Sequence, residues 1–277
     1  GICVANYLES PGAAAYERTD VTVDVDGTVR VVIGTQASGQ GHETSFAQVV
    51  AELLDVPMKS VSIEFGDSDR AVGGSGSHAD RSMRLGGTIL MQACEDILSQ
   101  FSIRAAEQLG VKTSEISLVN GRCVTADGRS VGLFEVASEM PLTATAEIST
   151  RLHAHPNGVS ACEVEIDPET GALEVTRYLS VDDVGRAINP MIVEGQLHGG
   201  AAQGIGEALF EEIVYDRDTG QLLTGSFLDY RVPSAMEMPR LESHIEECVT
   251  ASNPLGIKGA GEAGITPAAA AIASAAV

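Results

Sequence analysis

One pattern recurs in this chain and limits its fold more than any other feature: a β-hairpin, then a loop of small polar residues, then a helix. In the first occurrence Val21, Val23 and Val25 alternate with polar residues, Asp26-Gly27 supplies the turn, and Val29, Val31 and Ile33 alternate on the return. Small residues fill 34–44. Phe46, Val49, Val50, Leu53 and Leu54 then recur at helical spacing, with Ser45 and Gln48 as a capping box and Pro57 as the stop. Val61, Ile63 and Phe65 alternate as a strand, and a second small-residue loop covers 73–82. A long helix is predicted from about Gly87 to a C-cap at Gly110, and Asn120-Gly121 marks a further hairpin.

The second occurrence lies in the other half. Cys162, Val164 and Ile166 alternate, Asp167-Pro168-Glu169-Thr170-Gly171 turns, and Leu173, Val175 and Tyr178 continue on the return. A Gly-rich, helix-like run to about Phe210 follows Asn189-Pro190. An α+β chain is therefore expected, built from two related subdomains of hairpin-rich sheets packed with helices, residues 1–150 and 151–277. The chain opens without Met in strand-like sequence and stops inside an apolar helical pattern, so it reads as a piece of a longer protein.

Charge and cysteine usage narrow the function classes. The formal net charge is −22 and Trp is absent. That balance opposes approach to phosphate backbones or anionic membranes, and it offers no base-stacking surface. Any anionic ligand needs a locally positive pocket built from backbone amides or a few arginines. The five cysteines are scattered, without a C-x-x-C pair, so neither a zinc ribbon nor an iron–sulfur cluster is expected. They read as reduced thiols of a cytoplasmic protein. No apolar run is long enough for a membrane span.

Three glycine-rich stretches are candidates for chemistry. Gly39-Gln40-Gly41-His42-Glu43-Thr44 precedes a helix start, where open amides suit an anion, although a tight turn that needs glycine explains the pattern as well. Residues 73–82 have the character of an amide nest or of a plain surface loop. Gly259, Gly261 and Gly264 spell G-x-G-x-x-G, but a Pro- and Gly-containing loop precedes them and no acidic residue lies about 20 positions on, so a dinucleotide fold is rejected. Thr266 and Pro267 are expected to start a helix there. Glu262, held between glycines, is either a solvated loop carboxylate or a proton acceptor whose pKa a closed pocket would raise. His153-x-His155 lacks partners at ligand spacing, and no P-loop, G-x-S-x-G or H-E-x-x-H occurs.

Taken in order, the run from Gly39 to Gln48, the stretch Asn189-Pro190-Met191-Ile192-Val193-Glu194-Gly195-Gln196 with Gly199-Gly200-Ala201-Ala202-Gln203-Gly204-Ile205-Gly206, and Gly256-Ile257-Lys258-Gly259-Ala260-Gly261-Glu262 resemble one family. It is the molybdopterin-binding large subunit of the xanthine dehydrogenase, aldehyde oxidase and aerobic carbon monoxide dehydrogenase family. The resemblance spans nearly the whole chain. It implies that loops hold a molybdenum–molybdopterin cofactor, in its cytosine dinucleotide form. Gln40, Gly41, His42 and Thr44 match the loop and helix start that meet pterin and pyrophosphate. Ser77, Ala79 and Ser82 match the loop passing near the metal, Gln203 the glutamine of the Q-G-x-G run, and Gly261 with Glu262 the pair beside the molybdenum. No side chain is assigned as a metal ligand.

The resemblance gives Glu262 the role of general base in oxidative hydroxylation or oxidation of a small molecule, with water as the oxygen source. Electrons then pass to iron–sulfur clusters and FAD on partner subunits, in a dimer of heterotrimers. The alternative is a non-catalytic cofactor-binding or scaffold relative. The upstream active-site loop of the family is missing, so substrate identity is not implied and the piece alone is expected to be inactive.

Overall fold

The computed structural model describes residues 1–10 and 14–277. Among these residues eleven strands and five α-helices form two compact units. One unit comprises the described residues from 14 to 152 with 252–255. The other gathers the N-terminal strand with 153–251 and 256–277. The chain changes unit close to the expected position 150, but its first strand pairs with the second half. The expected subdomain of residues 1–150 thus differs from the compact unit at this first strand, which groups with 153–251 and 256–277.

The unit of 14–152 is built on β2 (Tyr16–Val23), β3 (Val29–Ile33), β4 (Val61–Glu64) and β8 (Leu142–Ser149), in sheet order β4-β3-β2-β8. β2 pairs antiparallel with both β3 and β8, whereas β4 adds parallel to β3. The parallel step needs a crossover, supplied by α1 (His42–Leu54). α2 (Gly87–Leu109) follows β4 and lies on β2, β8 and α1. Its C-cap is Gly110 in the left-handed region, as expected. Val21, Val23, Val29, Val31, Phe46, Val50, Ile89, Ile97, Phe101 and Leu142 are buried, because the alternating strand faces and the helical apolar stripes meet there. A small sheet of β5 (Ile116–Val119), β6 (Arg122–Thr125) and β7 (Ser130–Gly132) precedes the short α3 (Leu133–Ala137). Its first turn is the Asn120-Gly121 pair, both residues at positive φ.

The other unit has β1 (Ile2–Leu8), β9 (Asn157–Ile166), β10 (Leu173–Asp183) and β11 (Arg240–Glu246), in order β1-β9-β10-β11. β1 and β10 both run antiparallel to β9, and β11 adds parallel to β10. α4 (Pro190–Leu209) makes the crossover and α5 (Ala268–Ala276) follows the parallel strand. Each unit is thus a hairpin, an antiparallel neighbour, a crossover helix, a parallel strand and a second helix.

Local departures from the sequence reading have physical causes. Register slips between Val175 and Arg177, so Tyr178 rather than Arg177 returns to the buried face. α1 starts at His42 with Gly41 as its N-cap, one turn before the expected capping box. Ser45 therefore sits inside the helix, and its hydroxyl donates to the Gly41 carbonyl. α5 begins at Ala268 after Pro267, and the Thr266 hydroxyl donates backwards to the Glu262 carbonyl at 2.7 Å instead of capping the helix.

Candidate functional site

In the unit of 14–152 the site begins with a buried ion pair. Arg81 and Glu17 have fully buried side chains, with Arg81 Nη1 at 2.7 Å from Glu17 Oε2. Arg81 Nη2 donates to the Tyr16 carbonyl at 2.6 Å, Nε donates to that of Ala14 at 3.1 Å, and Nη1 also reaches the Gly76 carbonyl. Thr35 Oγ1 donates to the same Glu17 oxygen at 2.6 Å. The glycines make this approach feasible: a Cβ on Gly34 would stand 2.1 Å from the Gly73 carbonyl oxygen. Loop 73–82 is thereby held against β2 and the loop that leaves β3.

That packing brings the candidate side chains together. Gln40 Nε2 donates to Ser77 Oγ at 3.1 Å, Ser77 Oγ lies 2.6 Å from Ser82 Oγ, and His42 Nε2 is 3.3 Å from Ser77 Oγ. The Gln40 side-chain Oε1 accepts from the Ser38 amide. His42 stacks on Phe46 with ring centroids 5.0 Å apart. Burial pushes its imidazole below the usual histidine range, partly offset by Glu43, so His42 is neutral at pH 7. Ala79 and Asp80 hold φ of 46° and 52°, strained for non-glycine residues and kept in place by the adjacent Arg81 anchor. Ser82 opens a π-helical turn (Ser82–Gly86) that leads into α2. Thr44 is exposed on the first turn of α1.

This cluster has the character of an anion cradle. The Gly41 N-cap is left-handed and lends α1 no side-chain cap; the Thr44 amide donates to the Gly41 carbonyl at 3.1 Å, and the amides ahead of it suit an outside acceptor. Gly39 and Gly76, also at positive φ, have nothing within 4 Å of where a Cβ would stand, so a bulky group can approach their backbone. Backbone donors, hydroxyls and a carboxamide in a chain of net charge −22 fit a phosphorylated, polar cofactor.

The second group of candidates lies in the unit that carries β9 to β11. Glu262 and Gly261 are exposed on a turn, whereas Ala263, the next residue, is fully buried beside Tyr7 and Leu197. Gly264 and two α4 glycines permit this closeness. A Cβ on Gly264 would stand 2.2 Å from the Leu197 carbonyl oxygen, one on Gly200 2.9 Å from the Ile265 nitrogen, and one on Gly204 2.5 Å from the Ala268 Cβ. Gln203, exposed, sits next to Gly204 on α4. Glu262 is exposed, so the described residues around its own turn do not enclose it in the closed pocket considered from sequence.

Sequence reasoning missed what fixes this turn. Lys258 Nζ pairs with Asp183 Oδ2, the two side chains 15% and 13% exposed. Asp183 Oδ1 also accepts from the Gly185 amide at 3.0 Å and the Cys248 amide at 3.2 Å. Burial alone would raise the Asp183 pKa, but Lys258 and these amides override it and hold the carboxyl below its usual value. The Lys258 amide donates to the Val184 carbonyl at 2.9 Å, and Gly185 bridges to Ile257. Glu17 had a sequence signal, since it shares the inward phase of Val21 and Val23, and an inward charge demands a partner.

Among the described residues no group of three or more His, Cys, Asp or Glu is placed to hold a metal ion. No helix among them is long and apolar enough to cross a membrane.

Comparison with known proteins places this geometry. A family described as "Molybdopterin cofactor-binding domain" matches residues 1–239. The chain is 35% identical to the 6-hydroxypseudooxynicotine dehydrogenase complex subunit gamma of Paenarthrobacter nicotinovorans, with 99% of the chain and 36% of that protein covered. It is 32% identical to the carbon monoxide dehydrogenase large chain of Afipia carboxidovorans, over 91% of the chain and 32% of the relative. Among solved structures, Cu,Mo-CO dehydrogenase superposes with a TM-score of 0.91 at 29% identity, covering 100% of this chain and 37% of that one. Quinoline 2-oxidoreductase from Pseudomonas putida 86 gives 0.89 at 32% identity, over 98% and 38%. The chain spans about a third of the length of the relatives it matches.

Proposed function

Because this chain belongs to the molybdopterin cofactor-binding family, among the large subunits of xanthine and carbon monoxide dehydrogenases, we propose that it is the C-terminal portion of the catalytic subunit of a molybdenum hydroxylase. In this reading Gln40, Gly41, His42, Thr44, Ser77, Ala79, Ser82, Gln203 and Gly261 hold the cofactor. The helix amides at Gly41 and the hydroxyls of Ser77 and Ser82 bind and orient it without a net positive charge. The cofactor, a molybdenum–molybdopterin in its cytosine dinucleotide form, supplies the two-electron redox chemistry when bound.

Glu262 takes the proton from the water that provides the product oxygen, acting through its carboxylate as general base. The observation that carries this role is the combination of an exposed Glu262 with a buried Ala263 and a sterically locked Gly264. The carboxylate is presented, while its backbone has nowhere to go. A small organic or inorganic molecule is the substrate. Partner subunits bearing iron–sulfur clusters and FAD take the electrons, in a dimer of heterotrimers. Relatives named as a "complex subunit gamma" and a "large chain" support a multi-subunit assembly. The chain alone, about a third of its relatives' length, is inactive.

The test uses Glu262→Gln in a full-length polypeptide loaded with cofactor. Loss of an acid–base group lowers turnover by about 10²–10⁴-fold, while molybdenum and released cytidine nucleotide per polypeptide stay at the wild-type level. Turnover that persists with metal still bound removes Glu262 as the base and turns attention to a cofactor-binding or scaffold role. A variant that loses its molybdenum assigns Glu262 to holding the cofactor.

A further inference from the structure

Cys3 and Cys162 face each other directly across the antiparallel β1–β9 ladder. The hydrogen-bond phase of that ladder is fixed by its first pair. Gly1 nitrogen donates to the Val164 carbonyl at 2.7 Å, and the Val164 amide donates to the Gly1 carbonyl at 2.9 Å. Gly1 and Val164 are thus a hydrogen-bonded pair, and so, two residues along each strand, are Cys3 and Cys162. Such pairs have Cα atoms about 5.5 Å apart. Disulfides most often span about 5.5–6 Å between Cα atoms.

Both side chains point to the face of the sheet that α5 covers. Cys162 is buried, and Cys3 packs half-buried against the same cluster of Val164, Ala271 and Ala275. Burial, then the neighbouring Cys3, pushes the Cys162 thiol up to about 11. Opposed Cβ atoms lie up to about 5.5 Å apart in such a ladder, and a disulfide needs about 4 Å. Among the described residues β1 is the outermost strand of its sheet, with a sheet partner on one side only, so a shift of about 1.5 Å there disturbs one ladder rather than two.

We propose that Cys3 and Cys162 are a modification site: a dithiol that a low-molecular-weight disulfide oxidises to a reversible cross-strand disulfide. Cys3, the more exposed thiol, loses its proton to solvent and attacks the oxidant. One thiol leaves and a mixed disulfide forms on Cys3. Cys162 then gives up its proton and displaces the second thiol from Cys3. Two protein thiols and one small disulfide become one protein disulfide and two small thiols, a two-electron exchange. The bond ties the first strand covalently to β9, and it neither uses nor needs the cofactor residues.

The experiment treats the wild-type chain with oxidised glutathione, then unfolds it, alkylates it and maps the peptides by mass. Exposed Cys248 serves as the internal control, and the oxidant is raised until it carries glutathione. The expected result is a linked Cys3–Cys162 peptide, two hydrogens lighter than the sum of its parts. It is reversed by dithiothreitol and absent when the oxidant is added to the urea-unfolded chain diluted against intermolecular exchange. Recovery of Cys3 and Cys162 as alkylated thiols, or of Cys3 as the glutathione adduct with Cys162 alkylated, overturns the proposal.

Discussion

Replacing Asp183 with Asn tests whether the Lys258 ion pair is what holds the Glu262 turn in place. Asn keeps an acceptor for the Gly185 and Cys248 amides, so the substitution removes mainly the charge that faces Lys258. Breaking one side of a buried pair costs about 3–5 kcal/mol. With both side chains about one-seventh exposed, the lower end applies, so the expected loss is about 3 kcal/mol, roughly a hundredfold in the folded-to-unfolded ratio. At a urea slope of about 3 kcal/mol per M, the midpoint of that unit falls by about 1 M. Hydrogen exchange along the urea series reads the two units separately, with peptides covering 183–186 and 256–260 as reporters. Lys258→Met removes the other charge and costs a similar amount, whereas the double substitution leaves no stranded charge and costs clearly less than the sum.

The pH dependence gives a second reading of the same pair. The folded Asp183 carboxyl lies below its ordinary value of 3.8, so its contribution is fully present above that value and is lost as pH falls through the folded pKa. The stability gap between wild type and Asp183→Asn should therefore be constant from pH 7 to about 5 and close at more acid pH. Additive single and double substitutions, or a gap that persists in acid, would refute the reasoning.

Two further outcomes follow from packing and burial. In α4 the glycines divide by what surrounds them: Gly199→Ala, with open space at its Cβ, should stabilise by about 0.5–1 kcal/mol. Gly204→Ala, which meets the Ala268 Cβ at 2.5 Å, should destabilise by about 1–3 kcal/mol, and urea unfolding that gives both the same sign removes the packing argument. Arg81→Met strands the buried Glu17 carboxylate and should cost at least about 3–5 kcal/mol, with protease sensitivity rising first in 73–82; a wild-type cleavage pattern would contradict the anchoring role.

The hairpins, both crossover helices and the long α2 were legible because each rests on a local signal. Alternation marks the strands, Asp26-Gly27 and Asn120-Gly121 mark turns, and Gly110 and Asn189-Pro190 mark helix ends. The glycine loops were found as candidates, yet composition alone could not separate an anion cradle from a tight turn. What was not legible is long-range. β1 pairs with a strand about 150 positions away, and no local pattern in Ile2 to Leu8 names that partner. The same limit hid Arg81–Glu17 and Lys258–Asp183, whose members are separated by 64 and 75 positions.

The shared topology explains why the candidate residues fall where they do. In each unit the long connection after the parallel strand returns to a second helix, and it carries small residues that cannot bury apolar area of their own. Unit 14–152 places Ser77, Ala79 and Ser82 in that connection, and the other unit places Gly261 and Glu262 in its counterpart. Each loop is tied back by a basic side chain to an acid of its own hairpin, Arg81 to Glu17 on β2 and Lys258 to Asp183 on β10. A buried ion pair adds little net stability over an apolar contact, but it tolerates few alternative placements, because a displaced charge is stranded away from water. For loops that carry the candidate residues Ser77 and Glu262, that intolerance fixes position more tightly than the same area of hydrophobic packing. The fully buried Arg81 pair therefore leaves loop 73–82 less freedom than the partly exposed Lys258 pair leaves the Glu262 turn.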